Sequence, residues 1–395
     1  MTHRVYLDHS ATTPLDPRVL EAMLPTFGEP YGNSLAMHSF GHEAERAVEH
    51  SRETVARLLH CAPHEVIFTS GGTESDNLAL RGPAQAAHVR GQRVTIITTP
   101  VEHEAITATA RQLRDVLGAA LRVVPVDQYG FVSPDDLRGA LQSLPENGLA
   151  IVSLIYTNNE VGTHNPIRAL AAIAREHGAL VHTDAVQAGG QVALDVADLG
   201  VDLLSLSAHK FYGPKGAGVL VLREGVPFLS SQTGAKHEDH RRAGTHNTPG
   251  IVGTARALEL AREELPETTA RLSALRDRLI AGVLARVPDS KLTGHPVERL
   301  AGHASFVFRD VDSNALLMHL DQRGIAASSG SACKVGNPQP SPILEALGYG
   351  PEWTRSGLRL TLGHSTTEAD IDYVIEVLPE TVARIRQIAA RALAD

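Results

Sequence analysis

Cysteine is nearly missing from this chain: 395 residues hold 2, Cys61 and Cys333. Two thiols cannot build a disulfide framework, and so wide a separation gives no metal-ligand spacing. The 20 histidines are scattered, and no His-Glu-x-x-His pair occurs. An excess of basic charge is missing too. The formal net charge is -9 and the pI about 6.1, which excludes a general nucleic-acid binder. Long apolar runs are absent, and stretches such as Leu149 to Tyr156 fall far short of a bilayer span. The first residues, Met1 to Asp8, carry no signal-peptide pattern. There is no internal repeat and no low-complexity tract. These absences predict a cytoplasmic protein with free thiols and no membrane or nucleic-acid partner. What is present is ordinary for a soluble globular chain: 43% hydrophobic and 21% charged residues, enough length for two domains and a large core.

Strand and helix patterns alternate. Gly41 to Leu59 has apolar positions at helical spacing. Short apolar runs at Val66 to Thr69, Val94 to Thr98, Leu149 to Tyr156, Ala179 to His182 and Val201 to Leu206 read as buried strands. Such runs, separated by helices, predict an α/β fold with a parallel sheet covered on both faces. A long loop spans 223 to 250, and a helix-rich stretch begins near Ala255. It leads into a smaller unit with strands at Ala304 to Phe308, Gly324 to Ser329 and Gly357 to Leu362. Thr73 with Asp76, and Thr367 with Asp370, have the spacing of helix-capping pairs.

Ligands of open α/β sheets bind outside the carboxyl ends of the strands. His103, Asn159, Asp184, Gln187, His209 and Lys210 all lie at such ends. Ser70-Gly71-Gly72-Thr73, between a strand and a helix, is either a plain tight turn or an anion cradle. Lys210 is either a solvated lysine or a Schiff-base nucleophile for an aldehyde cofactor. The commonest such cofactor is pyridoxal phosphate. It would need phosphate donors (Gly72, Thr73, Ser207), a carboxylate at its ring nitrogen (Asp184) and a hydrogen-bond donor at its phenolic oxygen (Asn159 or Gln187). It would also need a planar partner, which His103 can supply. Singly, Asp184 reads equally well as a helix cap, and His103 as an ordinary histidine. Arg359, alone in an apolar strand, needs either a substrate carboxylate or a structural Asp or Glu. Cys333 sits in a small, polar, glycine-bearing stretch beside Lys334, which favours its thiolate.

The chain resembles the cysteine desulfurases of the NifS/IscS type, within the class V, fold-type I, pyridoxal-phosphate aminotransferases. The resemblance rests on YLDHSATTPLDP (6–17), EVIFTSGGTESDNLAL (65–80), VEHEAI (101–106), NNEVG (158–162) and HTDAVQ (182–187). It continues with DLLSLSAHKFYGPKG (202–216), RRAGT (241–245), SSGSAC (328–333) and RLTLG (359–363). Segments 32–38, 234–237 and 334–337 depart from the usual family pattern. The resemblance implies a large domain (16–254) with a mostly parallel, seven-stranded-type sheet sandwiched by helices. A smaller α+β domain (1–15 and 255–395) would carry the cysteine loop. It implies pyridoxal 5'-phosphate held by Lys210, Asp184, Gln187, Asn159, His103, Gly72, Thr73, Ser207 and His209. Thr245 would reach the phosphate of a second subunit, hence a homodimer. Lys210, His103 and Cys333 would be catalytic, and Arg359, helped by Asn33, would bind the substrate. The implied reaction converts L-cysteine to L-alanine and a persulfide on Cys333, which passes to an iron–sulfur scaffold or thiolation protein. A selenocysteine lyase, another class V aminotransferase, or a cofactor-free sulfur relay are the competing readings.

Overall fold

The structure is a computed structural model that describes residues 4–330 and 340–392. A short strand, β1 (Val5–Tyr6), precedes the strands of the main sheet. These are β2 (Val66–Thr69), β3 (Arg93–Thr98), β4 (Ala120–Val123), β5 (Gly148–Ile155), β6 (Leu180–Asp184), β7 (Leu203–Ser207) and β8 (Gly218–Leu222). They form one seven-stranded sheet in the order β2-β8-β7-β6-β5-β3-β4. β8 is antiparallel to both its neighbours, and the remaining pairs are parallel. Both faces are covered, which is why these strands lack polar alternation. On one face, Leu80, Ala84, Ile106 and Leu113, from helices Gly72–Val89 and Glu104–Leu117, meet Val94, Ile96 and Ile151. On the other, helices Ser39–Leu59, Ile167–Glu176 and Thr248–Arg286 bring Val48, Leu170 and Leu258 against Ile97, Val152 and Leu204. Each such buried Val, Leu or Ile side chain contributes about 1.5–3 kcal/mol.

The 39-residue helix Thr248–Arg286 passes from this core into a second one. Its Leu272, Leu275, Leu279 and Val283 pack with Phe306, Phe308, Leu358, Leu360 and Leu378, and with Val5 and Leu7. Four more strands lie here: β9 (Ser290–Leu292), β10 (His303–Phe308), β11 (Ile325–Ala326) and β12 (Leu358–Thr361). β12, β10 and β9 form an antiparallel sheet, and β11 pairs with β1 in parallel.

Three local expectations change. The long helix begins at Thr248, not near Ala255: Asn247 accepts from Gly250 N, and Pro249 sits in the first turn, where no amide is needed. Only Ile325 and Ala326 of the expected strand 324–329 pair with β1, while Ser328 bridges to Arg359. Thr73 and Asp76 do not form a cap, because Gly71 is the N-cap and Asp76 is 1% exposed beneath the site. The Thr367–Asp370 pair does form, with Asp370 N donating to Thr367 Oγ1 and Thr367 N to Asp370 Oδ2.

Candidate active site

The carboxyl ends of β5, β6 and β7 open onto one cavity of about 290 Å³. Gly72, Thr73, His103, Asn159, Asp184, Gln187, Ser207, His209, Lys210 and Arg359 all line it. Local structure aims each one. Gly71 adopts φ 147°, a conformation L side chains rarely reach, and starts helix Gly72–Val89 without a side-chain cap. Gly72 and Thr73, the first residues of this helix, line the cavity, and the N-terminus of a helix is a ready anion site. A Cβ at Gly72 would sit 2.6 Å from Val186 Cγ2, so backbone and neighbour nearly touch there. His103 is the N-cap of helix Glu104–Leu117, with Nδ1 accepting from Ala105 N.

Asp184 ends β6. One carboxylate oxygen accepts from Val186 N at 2.9 Å, so it caps the local turn and also faces the cavity. Burial pushes its carboxyl above the ordinary range, and the Val186 amide, His103 and Lys210 oppose that push. Asp76 and Glu102 lie buried nearby, their carboxyls also raised, chiefly by burial; Glu102 reaches about 8. His182 hydrogen-bonds the Ser153 and Ser205 hydroxyls, and burial lowers it to about 3, so it is neutral. Lys210 donates to Ser10 O, and to Ala11 O at 2.9 Å. Burial, then the Arg359 charge, lowers its amine to about 8, while Asp184 and Asp8 oppose the shift. An amine tuned so low is a competent nucleophile and base. His209 falls to about 4 through burial and two lysines, and its Nδ1 lies 3.1 Å from Thr12 Oγ1.

Arg359, on β12, is 4% exposed. Of the two sequence alternatives, the structural carboxylate is present as Asp8. Its Nη2 donates to Asp8 Oδ1 at 2.8 Å and its Nη1 to Asn159 O at 2.9 Å, while Nε is buried with no acceptor. Asn159 Oδ1 and Gln187 Oε1, both acceptors, are likewise buried and unpartnered, while Gln187 Nε2 donates to Ser10 O at 2.9 Å. Such orphans cost about 1–3 kcal/mol each unless a ligand meets them. The set fits pyridoxal 5'-phosphate: an anion cradle, a carboxylate, polar side chains at the rim, and a low-pKa lysine around one cavity.

Asn33 and Thr245 do not line this cavity. Asn33 is exposed and bonds Leu35 N, and Thr245 lies exposed on the loop before helix Thr248–Arg286. Cys333 lies outside the described residues. Sequence reasoning did not single out Asp8, Ser10 or Ala11, although all three bond the key cations. Among the described residues, no group of three or more His, Cys, Asp or Glu could hold a metal ion. No helix among them is long and apolar enough to cross a membrane.

Residues 5–374 match the family described as aminotransferase class-V. The chain is 44% identical to the cysteine desulfurase IscS of Clostridium botulinum, over 98% of this chain and 97% of that protein. It is 45% identical to an IscS-like cysteine desulfurase of Mycobacterium tuberculosis, over 98% of each. Among solved structures it is similar to a NifS-like protein, with TM-score 0.88, 36% identity, and 97% and 100% of the two chains covered. SspA in complex with cysteine matches with TM-score 0.78 and 29% identity, covering 91% of this chain and 98% of that one.

Proposed function

The chain belongs to the class-V aminotransferase family, and on that premise we propose that it is a pyridoxal-phosphate-dependent cysteine desulfurase. The carrying observation is the single cavity onto which Lys210, Asp184, Gln187, Asn159, His103 and Arg359 converge. Bound pyridoxal 5'-phosphate supplies an electron sink for the substrate's carbon skeleton. Lys210 would anchor it covalently and would move a proton through Nζ. Asp184 offers its free carboxylate oxygen to the ring nitrogen. Asn159 and Gln187 would serve the phenolic oxygen, and His103 would be the planar partner of the ring. Gly72, Thr73, Ser207 and His209 would hold the phosphate. Arg359 would take the α-carboxylate of L-cysteine; Asn33, exposed and away from this cavity, is left out of that role. The Cys333 thiolate forms an S–S bond to the substrate sulfur as the C–S bond breaks. L-Alanine leaves, and the persulfide passes to an iron–sulfur scaffold or thiolation protein.

We carry 16–254 as the cofactor unit and 1–15 with 255–395 as the unit bearing Cys333. The cytoplasm is the proposed location. A homodimer is part of the reading. Leu24, Phe27, Tyr31, Leu35, Met37 and Phe40 are exposed within one short segment, which favours burial against another surface. Thr245 is exposed and off its own chain's cavity, as a residue serving a second copy would be.

Alanine and sulfide release from L-cysteine, for wild type and Cys333→Ala side by side, tests the function. Activity lost in the variant with cofactor still bound supports the persulfide route. Equal activity in both leaves a lyase or aminotransferase on this fold.

A further inference from the structure

The carboxylate that faces Arg359 is built in as firmly as the guanidinium itself. Asp8 follows β1 and lies beside β12 through a parallel bridge to Thr361. Thr361 N donates to Leu7 O, and His9 N to Thr361 O, so both flanks of Asp8 are tied to the strand that carries Arg359. The Asp8 backbone oxygen also accepts from Ala11 N and Tyr6 Oη. The ion pair is largely screened from water, with side-chain exposures of 5% for Arg359 and 22% for Asp8. A pair fixed by two strands and mostly desolvated is unlike a mobile surface pair, whose net effect is small.

The guanidinium has five N–H groups in a fixed fork. One on Nη1 goes to Asn159 O and one on Nη2 to Asp8. Nε is buried with no acceptor. Three N–H groups remain, one each on Nε, Nη1 and Nη2, and Nε is the only nitrogen of the three with no acceptor at all, so a carboxylate that satisfies it binds side-on across Nε and Nη2. A carboxylate docked there shares Nη2 with Asp8. Two anions then meet one cation in a poorly screened place, and the second is held less tightly than by a free guanidinium.

We propose that Asp8 is a specificity-determining residue: it presents the Nε–Nη2 edge of Arg359 and weakens that site for anions, so that a bare carboxylate binds poorly. An α-amino acid, which gains a second attachment through its amino group, is retained. Selection is thus for the pair of groups, not the carboxylate alone. This rests on the reading of Arg359 as the carboxylate site of a cysteine desulfurase.

Asp8→Asn tests it, since asparagine keeps an acceptor oxygen for Nη2 and removes the charge. The probe is propionate, a carboxylate with no amino group. Its binding to the holoenzyme is measured by calorimetry and as competitive inhibition of sulfide release from L-cysteine. The expected result is propionate binding about tenfold tighter in Asp8→Asn, the direction set by removing a competing anion. A structural role predicts the opposite sign, weaker binding. Propionate affinity unchanged or reduced in a variant with wild-type cofactor absorbance overturns the proposal. Arg359→Ala separates the two readings. If it leaves the KM for cysteine unchanged, Arg359 is not the carboxylate site and the proposal falls with that reading. If it raises KM while Asp8→Asn leaves propionate binding unchanged, the proposal alone falls.

Discussion

Lys210 Nζ donates to the carbonyl oxygen of Ala11 at 2.9 Å, 199 residues away in sequence. The lysine comes from the end of the main sheet, and its acceptor from the segment that leaves β1 and packs beside the second core. The amine is thus held in a buried place, lowered to about 8 chiefly by desolvation and next by Arg359. Its neutral form is the nucleophile, so attachment of pyridoxal 5'-phosphate to apoprotein will speed up as pH rises and level off above about 8. The measurement is the rate of cofactor absorbance growth after mixing, across pH. Lys210→Ala will show no covalent attachment at any pH, and its turnover will fall by at least about 10³-fold. A rate flat in pH would contradict the lowered amine.

Asp184 has two tasks that one substitution separates. Its oxygen on Val186 N holds the turn, and in the proposed function its charge would serve the ring nitrogen from the cavity wall. Asparagine keeps the first and removes the second. Asp184→Asn will still attach cofactor but will lose turnover by about 10²–10³-fold, the scale of one removed electrostatic contact. Absorbance of the bound cofactor and alanine release, read on the same sample, check this. Wild-type turnover would remove Asp184 from the chemistry.

The strand-end residues were legible because covered parallel strands read as apolar runs, and each run points to its own carboxyl end. Lys210, Asp184, Gln187, Asn159 and His103 were found in that way, and the cavity brings them together. Asp8 was not, since its partner Arg359 lies 351 residues on and no local pattern carries that register. Asp76 looked like a cap from its spacing to Thr73. The structure turns it inward because the preceding glycine, not Thr73, ends the turn. β8 runs against both its neighbours, and an apolar run does not reveal strand direction.

Gly72 lines the cavity with no room for a side chain. An added methyl would meet Val186 Cγ2 at 2.6 Å and Ser207 Cβ at 3.4 Å. Relieving that clash moves the first turn of the helix, which lines the cavity. Gly72→Ala will therefore weaken cofactor binding by about tenfold or more, since overpacking costs about 1–3 kcal/mol. Global stability will change less, because alanine is the better helix former by about 1 kcal/mol. Equilibrium dialysis against pyridoxal 5'-phosphate and a thermal melt of the apoprotein separate the two effects. Unchanged affinity would mean that this turn does not hold the phosphate.

Glu102 is buried behind the site, accepting from Thr99 Oγ1 at 2.7 Å and Ile155 N at 3.0 Å through one oxygen. Its other oxygen has no partner. Burial raises its carboxyl from 4.5 to about 8, the nearby Asp184 charge adds to the rise, and the two hydrogen bonds oppose it. The sign follows from linkage. The unfolded chain loses this proton near 4.5 and the folded chain keeps it to about 8, so the group's stabilising effect is complete below 4.5 and is lost as pH rises through about 8. The loss is at most about 5 kcal/mol. Glu102→Gln is neutral at every pH and keeps an oxygen for Ile155 N. Asp76 and Asp184 titrate upward in both proteins, and Glu102 is coupled to them through their charges, so the difference between wild type and variant reports Glu102 together with its effect on these neighbours. Apoprotein melts across this interval will show the wild-type Tm falling more steeply with pH than that of the variant. Parallel curves would place a charged carboxylate in the interior at neutral pH, and a cation would then have to be found beside it.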